Sequence, residues 1–247
     1  NGMDYTNSHE ALEANGGDFE LIEIDLAWTS DERLVCLHDW DAGFLAKDGA
    51  LPAGPLPMAE FEARAGAAPW RPCTLASLAD WLRGHEGVRV VLDLKAGALD
   101  AYGAIAETYP DVLGRLIPQV YQPEDWARVR DMGYDDVIWT LYQYDGDSDA
   151  VLGWLARMDL PGLVMPPERL EAGLALRARA ATGVRTWVHT INSRAELEAV
   201  LEAGAAEVFT DVLKPAPILR YEVESSGDVA GASGLRSAGG ELELARG

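Results

Sequence analysis

Basic residues are scarce in this chain. Its 247 residues include 20 Lys and Arg against 41 Asp and Glu, which gives a formal net charge of −21. A chain with this charge repels the phosphates of nucleic acids and of anionic membranes unless a local basic patch intervenes. We therefore predict no nucleic-acid partner, whereas divalent cations are attracted to such a chain.

Cysteines and long apolar runs are also few. Cys36 in a strand-like segment and Cys73 after a proline have no metal-type spacing, and we do not expect them to form a disulfide. No apolar run approaches the roughly 18 residues that a membrane helix needs, so no transmembrane segment is predicted. The sequence opens without a signal segment, and it leaves the compartment and the oligomeric state open.

The segment 21–39 carries the clearest functional pattern. Strand alternation at residues 21–26 places Glu23 and Asp25 on one face, opposite three apolar side chains. Two unpaired carboxylates are costly to bury there, and a bound cation would stabilise them. A second apolar run, after a turn at residues 29–32, returns His38 to the same region. An imidazole is the side chain best suited to proton transfer near neutral pH.

Strand-like and helix-like segments alternate along most of the chain. Seven apolar strands are predicted, at residues 21–26, 88–95, 116–121, 137–142, 162–165, 185–190 and 207–211. Helices are predicted at residues 9–14, 75–82, 98–108, 123–132, 147–158, 168–182 and 193–203. This pattern favours a parallel sheet covered by helices. A TIM-type (β/α)8 barrel needs eight strands. We therefore predict such a barrel without its first strand, which we expect to lie upstream of Asn1.

The predicted barrel is a single domain over residues 1–221. Within it, the Gly-, Pro- and Ala-rich residues 40–73 are expected to form a long loop or small excursion. Residues 222–247 contain few large apolar side chains and are predicted to be a disordered tail.

Candidate site residues lie at the predicted carboxyl ends of the strands, where barrel enzymes place their catalytic groups. Asp93 and Lys95 share one face of their strand, so Glu23, Asp25 and Asp93 can converge on Mg²⁺ or Ca²⁺, which prefer oxygen ligands. Lys95 and the metal would then bind an anion such as phosphate. Alternatively, the carboxylates are solvated and paired with nearby cations. Candidate substrate-binding residues at other strand ends are Gln119, Tyr121, His189 and Asn192.

The order of these motifs resembles that of the glycerophosphodiester phosphodiesterases, in the phosphatidylinositol-phospholipase-C-like barrel superfamily. Glu23-x-Asp25 and then His38-Asp39 are similar to that family's metal pair and second catalytic histidine. Further similar motifs, over residues 5–217, are Thr6-Asn7-Ser8, Pro72-Cys73-Thr74-Leu75, Asp93-Leu94-Lys95, Thr190-Ile191-Asn192 and Thr210-Asp211.

The resemblance implies metal-dependent hydrolysis of glycerophosphodiesters to glycerol 3-phosphate, or a similar phosphomonoester, and an alcohol. The implied route is attack by the neighbouring glycerol hydroxyl through a cyclic phosphate. His38 would act as a general acid/base, and Lys95 with the metal would stabilise charge on phosphorus.

Three departures from the family's pattern affect this prediction. The histidine that ends the family's first strand is absent, Asp93 stands in place of a glutamate, and His189 stands in place of a tryptophan. We therefore expect this chain to be weakly active unless an upstream segment supplies the missing histidine. Two alternatives are a phospholipase acting on lipid head groups and a catalytically impaired barrel that binds a phosphorylated ligand.

Overall fold

The strands form one mixed sheet. The computed structural model describes residues 6–215, and there eight strands pair in the order β2-β1-β3-β4-β5-β6-β7-β8. They are β1 (Leu21–Trp28), β2 (Leu34–Cys36), β3 (Arg89–Asp93), β4 (Leu116–Val120), β5 (Ile138–Thr140), β6 (Leu163–Met165), β7 (Thr186–Val188) and β8 (Glu207–Val208).

The sheet is an incomplete (β/α)8 barrel. All neighbouring strands are parallel except β1 and β2, which form an antiparallel hairpin. Within the described residues the end strands β2 and β8 are not paired with each other. The seven parallel strands are the seven predicted from the sequence, so the predicted fold class is confirmed.

Nine α-helices accompany the strands between residues 6 and 215: α1 (His9–Asn15), α2 (Met58–Ala65), α3 (Leu75–Arg83), α4 (Ala98–Thr108), α5 (Asp125–Asp131), α6 (Ser148–Leu155), α7 (Pro167–Glu171), α8 (Leu174–Thr182) and α9 (Arg194–Glu202). The prediction of one helix at 168–182 is wrong. Gly173 adopts a left-handed conformation with φ of +76° and separates α7 from α8. Short polar side chains accept backbone N–H groups at four helix starts: Ser8, Thr74, Asp147 and Ser193.

Alternation along the strands separates two apolar layers. Ile24 and Leu26 of β1 lie in the large core between sheet and helices. A smaller core inside the barrel contains Val91, Ile117, Ile138, Val164 and Trp187. Glu23 is in register with Val91. Glu23 and, two residues on, Asp25 therefore belong to the inner face.

The β1–β2 hairpin is closed by a short turn. Thr29 N–H donates to the carbonyl of Arg33 over 2.8 Å, and Arg33 N–H donates to Thr29 Oγ1 over 2.8 Å. Glu32 has a φ of +59°, as tight turns often require. The turn sets the register that pairs Leu26 with Cys36.

Residues 40–73 form a small excursion with structure of its own, the second of the two predicted alternatives, and not a long loop. A short 3-10 helix (Gly43–Leu45) and α2 pack a separate small core against the hairpin. Its buried members are Val35, Leu37, Leu45, Leu56, Met58, Phe61 and Ala65.

Cys36 and Cys73 form a disulfide, which corrects the expectation that they would not pair. Both cysteines are buried, and Cys36 N–H donates to the Cys73 carbonyl over 2.9 Å. Backbone pairing thus brings together two residues that are 37 positions apart in the sequence. A count of cysteines contains no information about that pairing.

Two remaining predictions concern the C-terminal end of the domain and the absence of a transmembrane segment. The predicted domain end at residue 221 and the predicted tail at 222–247 lie outside the described residues. Within residues 6–215, no helix is long and apolar enough to cross a membrane.

Candidate active site

Three carboxylates converge where the parallel pairing of β1 with β3 ends. Asp25 is in register with Asp93, and Glu23 lies two residues before Asp25 on the same face. One oxygen from each of Glu23, Asp25 and Asp93 lies within 4.8 Å of the others. Asp25 and Asp93 are buried, and Glu23 is partly buried. The structure thus brings together the three side chains predicted to bind a metal.

This carboxylate cluster carries more negative charge than its surroundings balance. Burial raises the pKa of Glu23 well above its usual range, and the charges of Asp25 and Asp93 raise it further. Burial also raises the pKa of Asp25. Lys95 opposes both shifts through its positive charge. A divalent cation bound among the three carboxylates would remove the mutual repulsion that adds to these shifts.

Asn7 fixes the orientation of Asp25. Its Nδ2 donates to Asp25 Oδ2 over 3.1 Å, and its Oδ1 accepts the backbone N–H of Asp25 over 3.0 Å. Asn7 has a φ of +45°, a conformation that asparagine tolerates better than most residues. Asn7 is not among the site residues predicted from the sequence, although it belongs to the motif Thr6-Asn7-Ser8.

Tyr121 performs a similar positioning role for Asp93. Its hydroxyl donates to Asp93 Oδ1 over 2.6 Å. Burial and the charge of Asp93 raise the pKa of Tyr121, so the hydroxyl remains a donor at neutral pH. Gln119, buried two residues earlier, opposes this shift through a hydrogen bond to Tyr121. Gln119 of β4 and Tyr121 just after it, both predicted to bind substrate, therefore lie beside a predicted metal ligand.

His38 and Lys95 form a second group next to the carboxylates. Leu37 N–H donates to the Asp25 carbonyl over 3.0 Å, which brings His38 close to Asp25. Lys95 Nζ lies 2.6 Å from His38 Nε2, and His38 Nδ1 contacts Asp39 Oδ2. An ammonium can only donate and a carboxylate can only accept. The imidazole therefore carries its proton on Nδ1 and presents Nε2 as an acceptor.

Asp39 was quoted in the sequence motif but not predicted as a site residue. Its carboxylate accepts from His38 Nδ1 and so selects the tautomer in which Nε2 can take up a proton. Its position directly after His38 is the feature of the sequence that could have identified Asp39 as a site residue.

The other two predicted substrate-binding residues, His189 and Asn192, lie after the carboxyl end of β7. His189 follows β7, and Asn192 lies three residues further on. Asn192 Nδ2 donates to Asp211 Oδ2 over 2.8 Å, and Asn192 Oδ1 accepts the Asp211 backbone N–H over 2.9 Å. The charge of Asp211 contributes to the raised pKa of Glu23. The Asn192–Asp211 pair is therefore near enough to the cluster to affect it electrostatically.

No protein-family model and no curated protein matches the chain. Solved structures do match it. A phosphodiesterase from Oleispira antarctica, in complex with the product sn-glycerol-3-phosphate, superimposes with a TM-score of 0.66 at 16% identity, over 85% of this chain and 89% of that one. The chain has the fold of the glycerophosphodiester phosphodiesterases.

Two further structures support this result. Glycerophosphodiester phosphodiesterase from Agrobacterium tumefaciens str. C58 has a TM-score of 0.62 at 16% identity, over 85% of this chain and 91% of that one. The glycerophosphodiester phosphodiesterase from Thermotoga maritima has a TM-score of 0.61 at 17% identity, over 82% of this chain and 84% of that one. The resemblance seen in the sequence motifs is thus confirmed in the fold.

Proposed function

We propose that this chain is a metal-dependent phosphodiesterase for small glycerophosphodiesters, which it hydrolyses to glycerol 3-phosphate, or a similar phosphomonoester, and an alcohol. The observation that carries the proposal is the juxtaposition of the carboxylate cluster with the His38–Lys95 pair. Both His38 and Lys95 act electrostatically on Asp25. The fold shared with the glycerophosphodiester phosphodiesterases supports the same conclusion.

The residues present fit a hard divalent cation. Glu23, Asp25 and Asp93 offer carboxylate oxygens, the ligand type that Mg²⁺ and Ca²⁺ prefer, and burial together with the neighbouring carboxylates raises the pKa of both Glu23 and Asp25. Such an ion supplies Lewis-acid polarisation of a phosphoryl oxygen. Asn7 and Tyr121 hold two of the three carboxylates in position.

Lys95 binds and stabilises the anionic phosphodiester. Its side chain is exposed, and its ammonium pairs with the neutral Nε2 of His38. A phosphate oxygen is a better acceptor for this ammonium because it carries charge. Substrate binding therefore draws Lys95 towards the phosphate and makes Nε2 available to accept a proton.

His38 acts as one of the proton carriers. In the first step, Nε2 takes the proton of the glycerol hydroxyl next to the phosphate, and that oxygen attacks phosphorus. The bond between phosphorus and the alcohol oxygen breaks, and the alcohol oxygen takes up a proton from solvent as it leaves. In the second step, water attacks phosphorus and gives up a proton to solvent, the bond from phosphorus to the attacking glycerol oxygen breaks, and the His38 imidazolium returns its proton to that oxygen. Asp39 stabilises the imidazolium that forms between these transfers.

Release of phosphomonoester from glycerophosphodiesters, measured with and without Mg²⁺ or Ca²⁺, tests the proposal. We expect metal-dependent release by the chain and loss of release in His38→Ala. His85→Ala is the matched control, since His85 stacks on Trp81 at 4.0 Å between ring centroids and takes no part in the site. Absence of release with every divalent ion would favour a barrel that only binds a phosphorylated ligand. Faster release from intact phospholipids would favour a phospholipase.

Metal binding can be tested separately from turnover. A ligand that binds only the folded state stabilises it by about 2.7 kcal/mol at 100 times its dissociation constant. We therefore expect Mg²⁺ or Ca²⁺ to raise the midpoint of thermal unfolding. Asp93→Asn should abolish this rise, whereas Asp80→Asn, which alters an exposed carboxylate on α3, should preserve it.

A further inference from the structure

One side of the site rim is aromatic and is not used by the hydrolysis described above. Tyr142, just after β5, is 67% exposed despite its large ring. Its ring centroid lies 5.7 Å from that of His189, with the planes tilted by 56°. Phe209 meets His189 edge-on, with 6.4 Å between the ring centroids. Three rings from the ends of β5, β7 and β8 therefore form a continuous wall, with Tyr142 at its open end.

The charges next to this wall are negative. Asp93 and Glu168 are the two charged groups that act on His189, and both raise its pKa. Burial has the larger effect and lowers the pKa of His189, so the imidazole is neutral at pH 7. Arg169, the residue after Glu168, donates instead to the carbonyls of Tyr144 and Gly146. The wall therefore offers π faces beside carboxylates.

His189 connects the wall to the reacting centre. Asp93 of the carboxylate cluster and Glu168 of α7 both act on it electrostatically. Its buried Nε2 has no hydrogen-bond partner among residues 6–215. Buried polar atoms are usually paired, so an unpaired one at a strand end of the barrel is a candidate hydrogen-bond partner for a ligand. An oxygen of a phosphodiester bound at the cluster is a suitable partner.

We propose that Tyr142, His189, Phe209 and Glu168 form a subsite for a cationic alcohol, and that the preferred substrates carry an ammonium group on the alcohol that leaves. This inference rests on the proposed function, because it names the alcohol of the same diester. A quaternary ammonium is attracted to the faces of aromatic rings, and recognition of such ions by aromatic residues is a recurring use of this interaction. Glu168 adds a negative charge without needing a direct hydrogen bond.

Equilibrium binding tests the subsite without turnover. Choline and its uncharged isostere 3,3-dimethylbutan-1-ol have the same shape, so a difference between them reports charge recognition. We expect the full chain to bind choline more tightly, by roughly three- to tenfold as measured by NMR titration. Equal affinities, or no binding of choline, would overturn the inference.

Substitutions locate the subsite. Tyr142→Leu removes the exposed ring and should reduce the ratio of choline to isostere affinity about threefold or more, while Tyr142→Phe retains the ring and should preserve most of it. Glu168→Gln should reduce the ratio as well. Glu171→Gln removes an exposed carboxylate from the same helix and is the matched control, for which we expect no change. A ratio that is insensitive to Tyr142→Leu and Glu168→Gln would place choline elsewhere and contradict the proposal.

Turnover separates this inference from the function on which it rests. We expect the kcat/KM of glycerophosphocholine to exceed that of glycerophosphoglycerol. Hydrolysis of both at equal kcat/KM would refute the subsite and leave the phosphodiesterase activity established. Hydrolysis of neither would contradict the proposed function, while the choline titration would still decide whether the rim binds cations.

Discussion

The ammonium of Lys95 lies 2.6 Å from Nε2 of His38, so the cation proposed to bind phosphate is in direct contact with the atom proposed to accept a proton. The two residues come from different elements, His38 from the segment after β2 and Lys95 from the segment after β3. Because substrate phosphate competes with Nε2 for Lys95, binding of the phosphate and availability of the base are linked. This link leads to the first prediction.

Single and double substitutions of this pair are expected to be non-additive. His38→Ala and Lys95→Met should each lower kcat by about 10²- to 10⁴-fold, the range for a positioned acid/base or charge-stabilising group. The double variant should be little slower than the slower single variant, as for residues that act as a unit. Steady-state kinetics with a saturating glycerophosphodiester measures this. Losses that multiply would show that the two side chains act independently.

The raised pKa of Glu23 predicts a pH-dependent stability difference between the wild type and Glu23→Gln. A carboxyl whose pKa is higher in the folded than in the unfolded state favours folding when protonated, and this stability is lost as the pH rises through the folded-state value. Without metal, Glu23→Gln should therefore be more stable than the wild type at pH 7. The difference should shrink as the pH falls towards the usual range of a glutamate.

Urea unfolding with a metal chelator, at several pH values between 5 and 8, measures this difference. Glu60→Gln on α2 is a suitable control, since its partly exposed carboxylate pairs with Arg64, away from the carboxylate cluster. A Glu23→Gln advantage that grows as the pH falls would contradict the prediction. Saturating Mg²⁺ or Ca²⁺ should reverse the order at pH 7, because only the wild type keeps all three carboxylates.

Tyr121→Phe should weaken metal binding. The substitution removes the hydroxyl that donates to Asp93 Oδ1 over 2.6 Å and leaves the ring in place. Loss of a hydrogen bond to a metal ligand typically reduces metal affinity about 10- to 100-fold. Isothermal titration calorimetry with Mg²⁺ or Ca²⁺ measures the change. In Tyr134→Phe, the control, the lost hydrogen bond is to the Tyr102 carbonyl, away from the carboxylates, so metal affinity should stay the same.

Reduction of the Cys36–Cys73 disulfide should destabilise the fold. The bond closes a long loop, and loops of this length typically gain about 2–4 kcal/mol from such a cross-link. Urea unfolding with and without a reductant measures the effect. The variant with both Cys36→Ser and Cys73→Ser should match the reduced wild type and should not respond to reductant. A reductant effect that persists in this variant would have another cause.

Patterns that repeat along the chain predicted most of the barrel. Continuous apolar strands, and the parity that pairs Glu23 with Asp25 and Asp93 with Lys95, depend on backbone geometry that is local to each strand. Parallel pairing then brings the carboxyl ends together, so the convergence of three carboxylates follows from local patterns. These are the features that sequence reasoning can reach.

The features that it missed depend on long-range contacts. The Cys36–Cys73 pair depends on backbone pairing between β2 and the end of the insertion, and the bond from Asn7 to Asp25 spans 18 residues. The division of α7 from α8 depends on one left-handed residue, Gly173, in a segment otherwise rich in helix formers. Such details are set by tertiary contacts or by a single backbone angle, which hydrophobic periodicity does not report.

The β1–β2 hairpin determines where insertions and deletions can occur in this part of the chain. A slip of one residue in strand pairing exchanges the two faces, so the turn between Thr29 and Arg33 sets where His38 stands relative to Asp25. Residues 40–73 leave the hairpin after His38 and have a small core of their own. A change of length in that excursion therefore leaves the pairing of β1 with β2 intact. A change of length in the five-residue turn would shift that pairing and separate His38 from Asp25.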